Sequence, residues 1–190
     1  MKTKIWSLAA LTIFAVGTLG CPAGSGNLSK NEAGGVYLSI TSFDGLPVQV
    51  SVNAVANGGF VTIGTLVISS IAVNQSAPTS ALMNVEVEVY EVGFSRADEG
   101  TKTPQPTERR VFGTIPVNGT MTLNNLPIMS SEEFHNQPLS DLLFQNGAID
   151  SETGSEAILL NLELKFFGQT LNGTKVETRI PARFNIQFVP

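Results

Sequence analysis

Few residues could do chemistry, and their spacing limits what it could be. His135 is the single imidazole among 190 residues. A Ser–His–acid triad would have to use it, and a metal site needing two histidines is excluded. It sits in Phe134-His135-Asn136, inside a stretch with helical spacing, and no G-x-S-x-G turn accompanies it. A surface histidine at a helix end is the expectation. The densest acidic run is Asp150-Ser151-Glu152-Thr153-Gly154-Ser155-Glu156. Asp150, Glu152 and Glu156 are candidate calcium ligands, because hard cations take several oxygens on a tight turn. Asp141 would join them only if the fold brought it close. The EF-hand pattern is not met: Gly154 takes the fifth position, and Asn161 stands where the bidentate Glu would be. A solvated loop between strands is the other reading. Nothing places two carboxylates around a cleft as a glycosidase requires. No cofactor is expected.

The only cysteine is Cys21, which excludes a disulfide framework and any cysteine-based structural metal site. Charged residues make up 14% of the chain, against about 25% in ordinary soluble domains, and hydrophobic ones 42%. Disordered acidic chains, coiled coils and charge-laced bundles are excluded. A net charge of −5 and a pI near 4.8 argue against a nucleic-acid partner. The 18 Gly and 10 Pro favour many turns and short strands.

Met1-Lys2-Thr3-Lys4 is a short positive region, and Ile5–Val16 (IWSLAALTIFAV) is apolar. A spanning helix needs about 20 apolar residues; this run is shorter and has the length of a secretory signal core. Thr18-Leu19-Gly20-Cys21 follows. It resembles the lipobox of bacterial lipoproteins, with a small residue before an invariant Cys, although Thr18 stands where that family usually has Leu. The resemblance covers residues 1–21. It implies a diacylglyceryl group on the Cys21 thiol, cleavage just before Cys21, and usually acylation of the new amine. Pro22 after the Cys, by resemblance to the sorting rule of enteric bacteria, implies the outer rather than the inner membrane. The expected partners are thus the membrane, through the lipid, and an envelope protein. Loss of Lys2 and Lys4 with the signal takes the net charge from −5 to −7, so the lipid and not electrostatics must hold the protein to anionic membranes. Residues 22–35 are small, polar and aperiodic, which reads as a tether. The expected organisation is a signal over 1–20, lipidated Cys and tether over 21–35, and one domain over 36–190. With Trp6 in the signal, the mature domain has no Trp.

That domain has a hydrophobic period of two. Leu160, Leu162, Leu164 and Phe166 alternate with polar residues, as do Val176, Thr178, Ile180, Ala182, Phe184, Ile186 and Phe188. Val85, Val87 and Val89 share one phase, and Tyr90, Val92 and Phe94 take the other, predicting a bulge near Val89–Tyr90. Phe167 should point outward, where it could mark a partner contact. Burial of both apolar faces selects a three-residue loop Leu171-Asn172-Gly173, which pairs Thr170 with Thr174, Leu162 with Ala182 and Leu164 with Ile180. The same test at Val117-Asn118-Gly119 pairs Ile115 with Met121 in a hairpin. Further strands are expected at 36–42, 47–55, 60–73, 82–94, 109–117 and 120–126, the third bent or split at Gly64. Arg96–Arg110 reads as a mobile loop of mixed charge or a partner-binding loop. Asn27, Asn74, Asn118 and Asn172 lie in N-x-S/T sequons, expected by chance in a bacterial chain.

Ser130-Ser131-Glu132-Glu133 looks like a helix cap followed by first-turn acids. Pro138, Ser140 and Asp141 restart the helical spacing, which Leu139, Leu142 and Leu143 occupy and Gly147 closes. This predicts a short helical crossover between sheets. The fold class is therefore all-β: an antiparallel two-sheet sandwich, immunoglobulin-like in architecture, with about eight strands. The leading functional expectation is a non-enzymatic, lipid-anchored structural or adaptor module. The alternative is a ligand- or calcium-binding envelope lipoprotein using Asp150–Glu156.

Overall fold

A computed structural model describes residues 35–190. Residues 1–34, on which the expected signal, the lipidated Cys21 and nearly all of the expected tether fall, lie outside the described residues. The fold is all-β. Among the described residues nine strands form two sheets: β1 (Val36–Asp44), β2 (Gln49–Ser51), β3 (Phe60–Ala72), β4 (Val85–Arg96), β5 (Thr107–Ile115), β6 (Thr120–Ser130), β7 (Ile158–Thr170), β8 (Lys175–Glu177) and β9 (Ala182–Val189). The smaller sheet has the order β1-β3-β6, and the larger has β2-β9-β7-β4-β5, with β8 also on β7.

Period-two patterning explains the centre of the larger sheet. Ile158, Leu160, Leu162, Leu164 and Phe166 of β7 are fully buried, while Leu159 through Phe167 on the odd positions face outward. Phe167 lies on that outer face, half-buried. The three-residue loop is also as expected: Thr170 N–H donates to Thr174 O (2.8 Å), and Gly173 sits at φ +85°, a left-handed conformation costly for any residue with a Cβ. The predicted pairing holds through Phe167↔Glu177 and ends at Thr178, whose N–H still donates to Phe166 O at 2.9 Å. The Thr178 hydroxyl is held by the Phe166 backbone, accepting from its N–H at 2.8 Å, and Arg179 N–H donates to Leu38 O at 3.0 Å. The chain leaves β7 there and returns two residues out of step, so Leu164 faces Ala182 and Leu162 faces Phe184. A shift by two preserves every face. Ile180, expected opposite Leu164, falls in the excursion and is 74% exposed.

Three other expectations need correction. The 47–55 segment is a strand only over Gln49–Ser51. Ser51 then caps a helical turn α1 (Val52–Ala56), its Oγ accepting from Ala54 N–H at 3.4 Å. Residues 115–121 do not form a hairpin. β5 pairs with β4 and β6 with β3, so the turn carries the chain from one sheet to the other. Asn118, not Gly119, takes the left-handed position (φ 58°), and its Oδ1 accepts from Ala72 N–H at 2.9 Å. The sheets are not purely antiparallel: β2 runs parallel to β9, and Leu38 bridges Thr178 in parallel, joining the sheets along one side. β3 is continuous through Gly64, although burial changes phase there, from Val61 and Ile63 to Leu66 and Ile68.

The bulge in β4 falls one residue before the predicted point. Val87 pairs with Gly168 and Val89 with Phe167, leaving Glu88 unmatched on β7. The phase change lets Tyr90 turn inward with Val92. Tyr90 stacks at a tilt on Phe166 (centroids 5.6 Å), and its hydroxyl donates to Pro127 O at 2.6 Å, tying the larger sheet to β6 across the core. Burial pushes this phenol up to about 12, with Arg109 opposing and Glu133 adding to the shift. The unfolded phenol titrates near 10. Between those values the unfolded chain has lost a proton that the folded chain keeps, so stability must fall as pH rises through that window. Denaturation midpoints measured from pH ~9 to ~11.5 are expected to decline more steeply for the wild type than for Tyr90→Phe; equal slopes would contradict the assignment.

The crossover from β6 to β7 consists of 3₁₀ turns at Ser131–His135, Leu139–Leu142 and Phe144–Asn146. Ser130 and Glu133 form a reciprocal capping box. Phe134, Leu139, Leu142 and Leu143 are buried, so the short turns serve as a lid on the core.

Strand directions sort the connections into two ends. One end carries Gly35, the 73–84 loop, the 116–119 turn and the 171–174 turn. The other carries 45–48, α1, the 97–106 loop, the crossover and Pro190. The 13 residues of β7 separate them by about 40 Å.

Candidate functional site

Arg96 is the last residue of β4. It occupies the phase of Tyr90, Val92 and Phe94, so its side chain enters the interior instead of the solvent and is 3% exposed. A guanidinium buried there needs carboxylate partners. One, Asp150, comes from a segment 54 residues away, and the other, Asp98, lies two residues further along the chain. Arg96 Nη2 donates to Asp150 Oδ2 at 2.7 Å, and Nε donates to Asp98 Oδ1. Nη1 donates to Lys102 O at 3.3 Å. Asp150, itself fully buried, also accepts from the Thr153 hydroxyl (2.6 Å) and Glu152 N–H (3.3 Å). Asp98 accepts from Leu159 N–H (2.9 Å) and Gly100 N–H (3.1 Å). Glu152 accepts from Thr101 N–H (2.8 Å), Lys102 N–H (2.9 Å) and the Thr101 hydroxyl.

The result is a clamp between the 97–106 loop and the 150–155 turn. Burial works against charge on Asp150 and on Asp98. The Arg96 guanidinium and the N–H and O–H donors prevail and hold both carboxyls below the usual range. Glu152 is lowered first by the Lys102 N–H, then by the Thr101 donors. Chemically, the arrangement stabilises charge within a closed network. It presents no group poised to attack or to take a proton.

The expected calcium ligands therefore part company. Asp150 and Glu152 are turned onto Arg96 and the Thr101–Lys102 backbone, Glu156 is exposed apart from them, and Asp141 accepts from Ser151 N–H at 3.3 Å. Among the described residues no three His, Cys, Asp or Glu side chains are grouped so as to hold a metal ion. The 96–110 segment, expected to be mobile, is pinned by the clamp at one end, with Pro104 buried. At its other end Arg109 pairs with Glu133 at 2.7 Å, and Thr107 donates to the same carboxylate. His135 lies at the end of its turn as expected, exposed, its Nε2 3.2 Å from Ala56 O.

The depressions on the outer face of the larger sheet are open. One, of about 600 Å³, lies over the β4 bulge beside Glu88, Val89, Arg110 and Phe112. Its neighbour, of about 340 Å³, is lined by Val89, Phe167, Gln169 and Lys175. Among the described residues no helix is long and apolar enough to cross a membrane.

No protein-family model matches the chain, and no curated protein matches it. Among solved structures, one similar chain is a beta-glucosidase from Listeria innocua, crystallised in complex with glucose. Identity is 13% over 82% of this chain, with a TM-score of 0.35. This chain spans 16% of the length of the glucosidase chain. A likeness that weak carries no inference about fold or activity.

Proposed function

We propose that the protein is a non-enzymatic, lipid-anchored β-domain of the bacterial cell envelope, a structural or protein-binding adaptor module at the outer membrane. The observation that carries this reading is Thr18-Leu19-Gly20-Cys21 directly after a positive and then an apolar segment, with the chain's single thiol at the last position. Two acyl chains or more give stable anchoring, since each buried CH₂ contributes about 0.8 kcal/mol. The two-sheet domain is read as an immunoglobulin-like sandwich, closed along one side by the Leu38–Thr178 bridge. Its most polar loops are clamped rather than arranged around a cleft, which favours presenting a surface over turning over a substrate. The expected partner is an envelope protein, not nucleic acid.

Replacing the thiol tests the anchor. Wild-type protein is expected in the membrane fraction, resistant to salt extraction and partitioning into detergent. Cys21→Ser is expected in the soluble fraction or retained as uncleaved precursor. Normal processing together with undiminished membrane association of Cys21→Ser would refute lipid anchoring.

A further inference from the structure

The two ends of the domain differ in charge. The end bearing Gly35 is built from 73–84, 116–119 and 171–174, none of which contains an Asp, Glu, Lys or Arg; the exposed Lys175, which directly follows, is a cation that anionic lipid attracts. These segments form one stitched surface. Val73 N–H donates to Gly35 O (3.0 Å), Leu171 N–H to Asn84 O (3.0 Å), and Val117 N–H to Asn84 Oδ1 (3.0 Å). From it project Leu82, Leu171 and Val73, exposed by 57%, 45% and 40%. The opposite end also exposes apolar side chains, Phe60 and Phe144 among them, but amid the carboxylates of Asp98, Glu99, Glu132 and Glu156.

We propose that the uncharged end is a lipid-docking platform, on which Leu82, Leu171 and Val73 rest in the interfacial region of the bilayer that holds the anchor. The proposal rests on the lipid-anchor reading. Cys21 joins the domain at this end, and residues 22–35 reach at most about 50 Å fully extended. The platform is therefore held near the membrane at an effective concentration that makes a weak apolar contact count. The absence of charge removes the penalty that ionised groups incur near lipid, and anionic lipid repels the acidic end. Both effects set the same orientation: Gly35 end down, Arg96 clamp and crossover facing away.

The mature chain lacks Trp, so a single Trp reports position. Leu82→Trp, Leu171→Trp and Phe144→Trp are placed at exposed sites, and the acylated protein is reconstituted into vesicles of phosphatidylethanolamine and phosphatidylglycerol with brominated acyl chains. Emission from Leu82→Trp and Leu171→Trp is expected to be quenched several-fold more than that from Phe144→Trp. Equal quenching at the two ends would overturn the proposal. So would a blue-shifted but unquenched emission at Leu82→Trp, which would mean that protein covers this face. Intact mass of the same samples reports the anchor separately. If Cys21 carries no lipid, its thiol is coupled to a maleimide phospholipid in the vesicles, and the same comparison decides docking alone.

Discussion

Arg96→Met is expected to destabilise the domain by about 3–5 kcal/mol, the cost of leaving buried carboxylate without its counter-charge. Methionine keeps most of the stem's volume, so the loss reports charge and hydrogen bonding. Asp150 is the residue exposed to the consequence, because it is fully buried and draws a 2.7 Å bond from the guanidinium. Adding Asp150→Asn should return part of the loss, and a double-mutant cycle by chemical denaturation measures that coupling. The clamp also predicts the acid limb of stability. Asp98 and Asp150 titrate lower in the folded chain than in the unfolded one. Their contribution is present above the unfolded value near 4 and is lost as pH falls through the folded values. Arg96→Met should flatten that limb. An unchanged midpoint and an unchanged acid slope in Arg96→Met would mean that the network holds nothing together.

Gly168→Ala is expected to cost at or above the upper end of the ~1–3 kcal/mol typical of overpacking. A Cβ there would stand 2.2 Å from Glu86 O and 3.1 Å from Val87 Cα. Both obstacles are backbone of β4 beside the bulge, at the centre of the larger sheet, so neither can rotate away. Gly93 and Gly173 provide the comparison. On the same pair of strands, a Cβ at Gly93 meets Glu163 O at an ordinary 3.8 Å. At Gly173 no atom lies within 4 Å, and only the left-handed φ opposes a side chain, worth about 1–2 kcal/mol. The expected order of loss in thermal or urea melts is Gly168→Ala, then Gly173→Ala, then Gly93→Ala. Gly168→Ala as stable as Gly93→Ala would show that β7 and β4 are not that close at the bulge.

What was legible in the residues was whatever depends on alternation over a half-buried strand. β7 and β9 bury every second side chain, and the break in phase after Val89 lies within a residue of the real bulge at Glu88. The loop at 171–173 was legible because only one loop length buries both faces. The same burial test failed at 117–119. A turn that crosses between sheets presents the same inward parity as a hairpin, and partners on β3 and β4 decide between them. The two-residue excursion before β9 was hidden for a related reason, since an even shift leaves no mark on the pattern. The clamp joins residues 54 apart, beyond any local rule. One signal did exist: Arg96 continues the inward phase of Tyr90, Val92 and Phe94, and an arginine on an apolar face requires a carboxylate. Which carboxylate is a matter of tertiary structure, and Asp150 instead suggested calcium because its neighbours in the chain are acidic.

The intact mass of the protein extracted from membranes in detergent bears most directly on the anchored-domain reading. The predicted chain begins at Cys21 and carries the added mass of a diacylglyceryl group, with or without a further acyl chain on the new amine. A mature chain that keeps residues 1–20, begins elsewhere, or bears an unmodified Cys21 would contradict it.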